Sequence, residues 1–339
     1  MDLDNLEKVL KTEPAYKFKQ VQSAVFGDLI ENWTEASALS VELRKKLNDV
    51  CPLSIKAEIL ISKTKDSVKA RIGLKDGLKI ESVLMRHNDG RNTVCVSSQV
   101  GCPLACEFCA TGKMGFKRNL EADEIVEQII FFGRYLKKDL PDRQAGKKKV
   151  TNVVFMGMGE PFLNYENVIE AIRTINDKNG LNIGARNISV STVGVTEGIE
   201  KLTGENLQIN LAISLHAPDN KLRDKIIPLN KKYPIEKILK AVDEYIKKTN
   251  RQVMFEYLLI KGINDSDACA DKLAKLIKKP LYFLNLILYN QTGAFQSPSS
   301  SAVKKFKTIL NKKGAKFSQR YRFGQDIKAA CGQFAAEKC

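Results

Sequence analysis

The sequence predicts an α/β fold in which parallel strands and crossover helices form a partial (βα)6-type barrel. Apolar strand candidates alternate with amphipathic helices after residue 110, which is typical of parallel strands joined by helices. The stretch Val153–Met156 is continuously apolar, as expected for a strand that is covered on both faces. Together with a strand at 92–98, the pattern gives six or seven βα units, too few for a closed eight-stranded barrel.

A small helical domain and a β-rich segment precede the barrel in the sequence. Residues 15–51 are predicted to form two helices, because apolar residues such as Phe18, Val21 and Val25 recur at helical spacing. Strand candidates follow at Ser54–Ile61, Val68–Leu74, Lys79–Met85 and Asn92–Ser98. The segment Asn88–Arg91, between the last two, has the composition of a hairpin turn.

The barrel is predicted to occupy most of the chain. Its further strand candidates are Asn152–Met156, Asn187–Ser191, Gln208–Leu215, Gln252–Leu259, Tyr282–Leu288 and Ala315–Tyr321. Helices are expected near 121–137, 165–178, 234–248, 266–278 and 301–313. We therefore expect a helical accessory domain, a β-rich connecting segment, a barrel core and a C-terminal segment, at 1–53, 54–90, 91–325 and 326–339. In such folds functional groups gather where strands end.

The charge of the chain indicates a polyanionic partner. Fifty-five Lys and Arg against thirty-nine Asp and Glu give a net charge of +16, which attracts nucleic acid. Ten of the basic residues fall within 301–339, although a solvated lysine-rich surface would account for them equally well. The apolar runs are far shorter than the roughly 20 residues of a membrane span, and the N-terminus lacks the pattern of a secretion signal. We expect a cytoplasmic protein with no membrane partner.

Three closely spaced cysteines predict a metal centre. Cys102, Cys106 and Cys109 fall within eight residues, and a reducing compartment favours thiols that bind metal or catalyse. Three thiolates can hold three corners of a cubane iron–sulfur cluster, which leaves one iron open to an external ligand such as the methionine end of S-adenosylmethionine. The alternative is a structural zinc site with Cys95 as fourth ligand, but zinc ribbons pair two short-spaced knuckles.

The spacing Cys-x3-Cys-x2-Cys resembles the signature of radical S-adenosylmethionine (radical SAM) enzymes. Its setting is similar to that of the dual-specificity adenosine C2 methyltransferases of 23S ribosomal RNA and transfer RNA. The resemblance runs from about residue 15 to 334 and is carried, in order, by Cys95–Cys102, Ala110–Leu120, Phe155–Pro161, Ser214–Pro218 and Ala329–Gln333. It implies a radical SAM barrel, one [4Fe–4S] cluster per chain and two S-adenosylmethionine molecules consumed per methylation.

The resemblance also implies a covalent mechanism, because carbon 2 of adenine is not nucleophilic. Cys331 matches the thiol that is first methylated, and a 5′-deoxyadenosyl radical then activates this methyl group for addition to adenine. Cys95 matches the thiol that resolves the RNA adduct by forming a disulfide, and Glu81 matches the acceptor of the C2 proton. Without the resemblance, both cysteines would be interpreted as small buried residues and Glu81 as a surface carboxylate.

Contacts with S-adenosylmethionine are implied for a further set of residues near predicted strand ends: Gly159, Glu160, Ser191, Ser214, Leu215, His216 and Asn290. In the run Gly157–Pro161 we expect the glycines to let a ligand approach the backbone and Glu160 to hold an amino group. Without the resemblance, His216 would be interpreted as a core residue whose hydrogen bonds are satisfied within the protein. Met156 and Met158 are expected to pack against neighbouring side chains rather than to bind a ligand.

The implied partners are 23S ribosomal RNA, transfer RNA at the adenosine 3′ of the anticodon, and an electron donor such as flavodoxin or ferredoxin. We expect a monomer. The chain departs from the family pattern at Gln291, Gln325 and Lys328. Cys51 and Cys269 are expected to be inert, and Cys339 has no counterpart in the family.

Two other functions fit part of these observations. An enzyme that methylates carbon 8 of the same ribosomal adenosine would share the cluster and both thiols, although Pro161 favours carbon 2. A non-catalytic RNA-binding protein stabilised by a metal would explain the charge and the cysteines. It would not explain Cys95, Glu160 and Cys331 together.

Overall fold

A computed structural model describes residues 3–139, 149–293 and 295–335 of the chain. Twelve strands are described there: β1 Ala57–Ile61, β2 Ser67–Gly73, β3 Lys79–Arg86, β4 Asn92–Cys95, β5 Gln99–Gly101, β6 Phe116–Asn119, β7 Asn152–Phe155, β8 Ile188–Thr192, β9 Asn210–Ser214, β10 Val253–Leu259, β11 Tyr282–Leu288 and β12 Phe317–Gln319. Ten of them form one sheet in the order β1-β2-β3-β4-β7-β8-β9-β10-β11-β12. Strands β5 and β6 pair separately.

Eleven α-helices are described in the same ranges: α1 Leu3–Leu10, α2 Ala15–Gln22, α3 Val41–Val50, α4 Ala110–Lys113, α5 Ala122–Asp139, α6 Tyr165–Asn176, α7 Thr196–Gly204, α8 Asn220–Ile226, α9 Ile235–Thr249, α10 Asp267–Leu276 and α11 Ser300–Lys312. None of the helices described is long and apolar enough to cross a membrane.

The predicted partial barrel is confirmed. Seven strands, β4 and β7 to β12, are parallel neighbours in chain order. A crossover that contains α5, α6, α7, α9, α10 or α11 joins each successive pair. The buried parallel strands are apolar because both of their faces are covered, so their bounds could be predicted closely. Strand β11 has the predicted bounds, Tyr282–Leu288.

Strands β1 to β4 form an antiparallel meander that continues into the barrel sheet. The hairpin turn predicted between β3 and β4 is present. Gly90 adopts a φ of +89°, which favours glycine, and its N–H donates to the His87 carbonyl at 3.0 Å. The sheet is therefore continuous across residue 90, where the β-rich segment was expected to end.

Several short elements depart from the prediction. The two helices expected in 15–51 are α2 and α3, but a π-turn at Ser23–Gly27 follows α2, and α1 precedes them. Helices α7 and α8 and the β5–β6 hairpin had not been predicted. Helix α7 contains Gly198, where a Cβ would lie 2.5 Å from Phe162, so close packing placed a poor helix former inside a helix.

The segments that connect the N-terminal helices to one another and to β1 contact α5 of the barrel. The Trp33 side chain is fully buried, and its indole N–H donates to the Cys51 carbonyl at 2.7 Å. The Arg134 guanidinium of α5 donates to the carbonyls of Leu53, at 2.8 Å, and Ile30. Cys51 itself lies in the apolar core, and its inert role stays a prediction.

Candidate functional site

Two cavities occupy the barrel. The first, of about 160 Å³, is lined by Cys102, Cys106 and Cys109 and is called here the three-thiol cavity. The second, of about 450 Å³, is called the asparagine cavity because Asn152, Asn187, Asn285 and Asn290 line it. The residues that line both are Met156, Glu256, Ile287, Arg320, Cys331 and Phe334. The two cavities therefore meet at these six side chains.

The loop that carries the three cysteines lies inside the β5–β6 hairpin. It was expected between a strand and the helix that begins near 121, but α4 and β6 intervene. Gly101, with a φ of +76°, allows the hairpin to close, since a Cβ there would lie 1.8 Å from the Gly115 carbonyl oxygen. The Cys102 N–H donates to that oxygen at 3.0 Å. Cys102 and Cys106 are buried and Cys109 is partly exposed.

The donor set of this cavity fits an iron–sulfur cluster. Burial raises the pKa of Cys102 to about 12, and burial with repulsion from neighbouring thiolates also raises the pKa of Cys106. A bound metal would compensate this cost, because metal ligation requires deprotonated thiols. In the ranges described, no three His, Cys, Asp or Glu side chains are grouped as ligands of a metal ion. Thiols spread around a cavity suit a cluster, in which each thiolate binds a separate iron.

The zinc alternative required Cys95 as a fourth ligand beside these thiols. Cys95 lines the asparagine cavity, whereas Cys102, Cys106 and Cys109 line the three-thiol cavity. The geometry therefore contradicts that alternative.

Glu160 follows β7 and faces the three-thiol cavity. Its Oε1 accepts from the Phe162 N–H at 3.1 Å and its Oε2 from the Val193 N–H at 2.8 Å. Burial raises the pKa of Glu160 to about 7, in spite of these bonds. An ammonium group in the cavity would stabilise the ionised carboxylate.

The two glycines beside Glu160 also have a packing role that had not been predicted. A Cβ on Gly157 would lie 2.7 Å from the Val96 carbonyl oxygen, and one on Gly159 would lie 2.6 Å from the Gln99 Cβ. The φ of Gly159 is +101°. Both glycines therefore make room for the chain segment before the cysteines, although they also line the cavity.

Strands β8 and β9 contribute further polar groups. The Ser191 and Ser214 hydroxyls lie 3.2 Å apart and line the three-thiol cavity. His216 lines it too, and its Nδ1 accepts from the Leu258 N–H at 3.1 Å. Burial, followed by the positive charge of Arg223, lowers the pKa of His216 to about 3, so the ring is neutral at neutral pH. Leu215 is fully buried and lines neither cavity.

Arg223 organises these strand ends and was not predicted. Its guanidinium is fully buried and donates to five oxygens: Leu215 O, Ser214 O, Val193 O, Tyr233 O and Asn230 Oδ1. Burial lowers its pKa to about 10, so it stays charged at neutral pH. In the sequence Arg223 lies among the charged residues Lys221, Asp224 and Lys225, so nothing local distinguished it from a surface arginine.

Cys331 lies where the two cavities meet, and Cys95 lies at the end of β4 in the asparagine cavity. Cys331 is exposed to this space, whereas Cys95 is buried. Burial and repulsion from a Cys331 thiolate raise the pKa of Cys95 to about 12, and burial also raises the pKa of Cys331. The positive charge of Arg320 opposes part of this rise in the pKa of both thiols, so it makes their nucleophilic thiolate forms less unfavourable.

Arg320 was counted among the basic residues of a surface that contacts RNA. It instead lines both cavities, and its Nη1 lies 3.7 Å from Glu256 Oε2 and 3.1 Å from Met156 Sδ. Glu256 was missed altogether, although a carboxylate within the apolar strand β10 was a signal. Two other basic residues of that surface, Lys305 and Lys313, pair with Asp267 and Asp271 at 2.5 and 3.4 Å.

The segment that carries Cys331 is held by side chains from several elements. The Cys331 carbonyl accepts from Asn290 Nδ2 at 3.1 Å, and the Phe334 carbonyl accepts from the Thr111 hydroxyl at 2.6 Å. Asn290, for which a contact with S-adenosylmethionine stays a prediction, lines the asparagine cavity and holds this segment. Its Oδ1 is buried without a partner among the described residues. Cys339 lies outside the described residues.

Glu81 is fully buried, contrary to the surface position that a carboxylate on a strand usually has. Its Oε2 accepts from Lys69 Nζ at 2.8 Å and from the Ala335 N–H at 2.9 Å. Its Oε1 is buried with no hydrogen-bond partner among the described residues. Cys95 pairs with Val83 across β3 and β4, so Glu81 is its diagonal neighbour on the same sheet face. Burial raises the pKa of Glu81, and Lys69 opposes this shift.

Known proteins resemble the chain over nearly its whole length. A sequence model of the radical SAM superfamily matches residues 96–272. A relative from Dictyoglomus thermophilum, named "Probable dual-specificity RNA methyltransferase RlmN", is 43% identical over 99% of this chain and 95% of its own. A relative of the same name from Caldicellulosiruptor saccharolyticus is 46% identical over 97% of this chain and 94% of its own. The crystal structure of a radical SAM methyltransferase from Sphaerobacter thermophilus is 40% identical, with a TM-score of 0.91 over 99% of this chain and 98% of that one.

Proposed function

Because the chain belongs to the radical SAM superfamily and to its family of dual-specificity RNA methyltransferases, we propose that it methylates carbon 2 of adenosine in 23S ribosomal RNA and transfer RNA. The observation that carries this proposal is the position of Cys331. Its thiol lines the cavity of the three cysteines and also the cavity of Cys95. One sulfur can therefore receive a group in the first cavity and deliver it in the second.

In this proposal Cys102, Cys106 and Cys109 hold a [4Fe–4S] cluster, and Glu160, Ser191 and Ser214 bind S-adenosylmethionine beside it. When bound, these groups supply the methyl group, the reducing electron and the radical chemistry. Glu160 provides the buried negative charge for an amino group. Neutral His216 and the backbone at Gly159 complete the cavity wall.

Cys331 acts first as a nucleophile and then as the carrier of the transferred carbon. Arg320 favours its thiolate, which accepts the methyl group. After the carbon has been joined to adenine, the RNA is covalently attached to Cys331. Asparagine side chains around the second cavity offer both donors and acceptors for the edge of the base.

Release of the product requires Glu81 and Cys95. The C2 proton passes to Glu81. The Cys95 thiolate attacks the Cys331 sulfur to form a disulfide, and the electron pair of the broken carbon–sulfur bond stays on the carbon, which takes up a proton and leaves as the methyl group of the RNA. Glu81 lines neither cavity and is bonded to Ala335, next to Phe334, which lines both. We therefore propose that the Phe334–Ala335 segment moves aside before Glu81 accepts the proton.

Other parts of the proposal follow from the family and from the division of the chain. Residues 91–325 hold the cofactors, and residues 326–339 carry the methyl-accepting thiol. One chain contains every proposed group, so a monomer suffices. The cytoplasm is the proposed location. A small electron-transfer protein such as flavodoxin or ferredoxin is proposed as the reductant. The RlmN name of the relatives favours carbon 2 over carbon 8.

Trapping the covalent intermediate tests the proposal. Cys95→Ala should still methylate Cys331 and join RNA to it, but it lacks the thiol that resolves the adduct. The purified protein should therefore run as a ribonuclease-sensitive upward shift on a denaturing gel. Cys331→Ala and the double variant should carry no RNA, and Cys269→Ala, altered at a cysteine of α10 that lines neither cavity, is the matched control. A Cys95→Ala protein that is RNA-free and fully active would contradict the mechanism.

A non-catalytic RNA-binding protein is the alternative of another class. Anaerobic reconstitution with iron and sulfide, followed by reduction with S-adenosylmethionine present, separates the two functions. The proposed enzyme releases 5′-deoxyadenosine, whereas a structural metal produces no such cleavage. Mass spectrometry of the methylated adenosine then distinguishes carbon 2 from carbon 8.

A further inference from the structure

Three aromatic rings form a row at the asparagine cavity. The His87 and Phe323 centroids lie 4.9 Å apart at an interplanar angle of 69°, and the Phe323 and Tyr321 centroids lie 4.8 Å apart at 73°. All three side chains line the cavity. His87 is fixed at the inner end by a 3.0 Å hydrogen bond between its Nε2 and the Thr93 hydroxyl.

Exposure increases along this row. His87 and Phe323 are partly buried, whereas Tyr321 is 69% exposed, more than Tyr16 of α2 at 58%. The Tyr321 hydroxyl lies 3.5 Å from Asp66 Oδ2, which orients the ring without covering it. An aromatic face held in position and open to solvent at the edge of a cavity is available for stacking.

The same cavity also carries two arginines. Arg91 and Arg322 line the cavity beside Tyr321. Arg322 is anchored by Nη2, which donates to the Tyr289 carbonyl at 3.1 Å and to the Ser297 hydroxyl at 2.7 Å. Arg91 is half exposed and pairs with Asp89 at 2.8 Å. Exposed aromatic faces combined with cationic side chains are how proteins bind unpaired nucleotides, through base stacking and phosphate contacts.

We propose that Tyr321, supported by Phe323 and His87, is a stacking platform for a base that neighbours the target adenosine in RNA. This inference rests on the proposed function, since it assumes that the target base enters the asparagine cavity. A nucleotide in the cavity must be unstacked from its neighbour, and unstacking costs free energy. Tyr321 offers that neighbour a new stacking partner and so compensates part of this cost.

Tryptophan fluorescence tests the contact directly. Trp33 is the only tryptophan of the chain and is fully buried, so RNA cannot contact it and Tyr321→Trp adds one exposed reporter to a constant background. An RNA hairpin with the target adenosine in its loop should quench the new emission in a saturable way. The same hairpin with abasic sites on both sides of the adenosine should bind without this quenching. Unchanged emission at saturating RNA would overturn the platform.

Affinity provides the second measurement. Tyr321→Ala should weaken binding of the hairpin by roughly 5- to 150-fold, the range for losing one stacked base, and Tyr321→Phe should bind as the unaltered chain does. Tyr16→Ala, which removes another exposed tyrosine, from α2, should leave binding unchanged. Equal affinity of Tyr321→Ala and the unaltered chain would refute the platform while RNA methylation by the unaltered chain still supports the proposed function. If the unaltered chain methylates no RNA, the proposed function fails and the platform fails with it.

Discussion

Replacing Lys69 by Met should leave the protein covalently joined to its RNA, because Lys69 keeps Glu81, the proposed proton acceptor, ionised. Lys69 Nζ lies 2.8 Å from Glu81 Oε2, and both side chains are almost entirely buried. Burial raises the pKa of Glu81, while Lys69, the Ala335 N–H and the charge of Arg71 oppose the shift. Removing Lys69 leaves desolvation as the dominant influence, so the carboxyl group holds its proton to higher pH.

The size of the effect follows from the burial of the pair. Breaking a buried ion pair by removing one partner costs about 3–5 kcal/mol. Since about 1.4 kcal/mol corresponds to a tenfold change in an equilibrium, the ionised form of Glu81 should be disfavoured by roughly a hundredfold or more. At neutral pH, resolution of the RNA adduct should slow by a similar factor. Because the pKa rises, the rate should recover with increasing pH, by about tenfold per unit while the ionised fraction remains small.

The assay follows the fraction of protein joined to RNA. Lys69→Met should accumulate the nuclease-sensitive shifted band at pH 7 and lose it as the pH is raised. Lys69→Arg retains the charge and should resolve the adduct at low pH. Lys79→Met, which removes a lysine paired with Glu58 on the outer part of the same sheet, is the matched control and should not accumulate adduct.

Lys69 also donates to the Lys328 carbonyl at 3.1 Å, and its ammonium lies 6.0 Å from the centre of the Phe334 ring. If Lys69 served only to hold this segment, its removal would displace the segment that carries Cys331. Mass spectrometry of that segment separates the two effects, since S-methylation of Cys331 precedes the step that needs Glu81. Loss of Cys331 methylation, or an adduct that persists equally at every pH, would refute the proton-acceptor argument.

Three further predictions concern the cluster, the strand ends and the charge. Cys102→Ala, Cys106→Ala or Cys109→Ala should each abolish the cluster absorption band and S-adenosylmethionine cleavage, because each thiolate binds a separate iron, and a full band in any of them would refute this assignment. Arg223→Met should weaken S-adenosylmethionine binding and lower the melting temperature, because five oxygens lose a buried donor group, whereas unchanged binding by calorimetry would assign Arg223 to packing alone. RNA affinity should fall steeply with salt, with a logarithmic slope of about −0.7 per phosphate contact, and a flat response would count against the positive surface as the RNA contact.

The barrel was predictable because its determinants are local. A parallel strand covered on both faces must be apolar along its length, so strands such as β11 can be recognised without any knowledge of their neighbours. The three cysteines are equally local, since their spacing within one loop defines the donor set. The β5–β6 hairpin around them depends instead on the contact between Gly101 and Gly115, which are fourteen residues apart, and its three- and four-residue strands carry little periodicity.

The charged groups between the cavities could not be predicted in this way. Glu256 faces Asn285 because β10 and β11 pair in that register. Arg320, which follows β12, reaches Glu256 only because β12 adds to the edge of the same sheet. Counted in the sequence, Arg320 was one of ten basic residues near the C-terminus. The role of Arg320 between the cavities depends on the position of β12 in the sheet, and amino-acid composition does not predict that position.

The positions of the two remote cysteines match the different demands of the proposed mechanism. Cys331 must meet a methyl donor in one cavity, adenine in the other, and then Cys95. Its segment, from 320 to 335, contains no regular helix or strand, and the carbonyls of Lys328, Cys331 and Phe334 are each held by a side chain from a separate element. Such hydrogen bonds contribute about 0.5–1.5 kcal/mol each, so they can be released singly without unfolding the barrel. Cys95 ends β4, in ladder with β3 and β7, and cannot move without breaking the sheet. The Cys331 sulfur, which has to move between the cavities, therefore lies on irregular backbone. The Cys95 sulfur, which resolves the adduct, lies on a fixed strand that the Cys331 sulfur must reach.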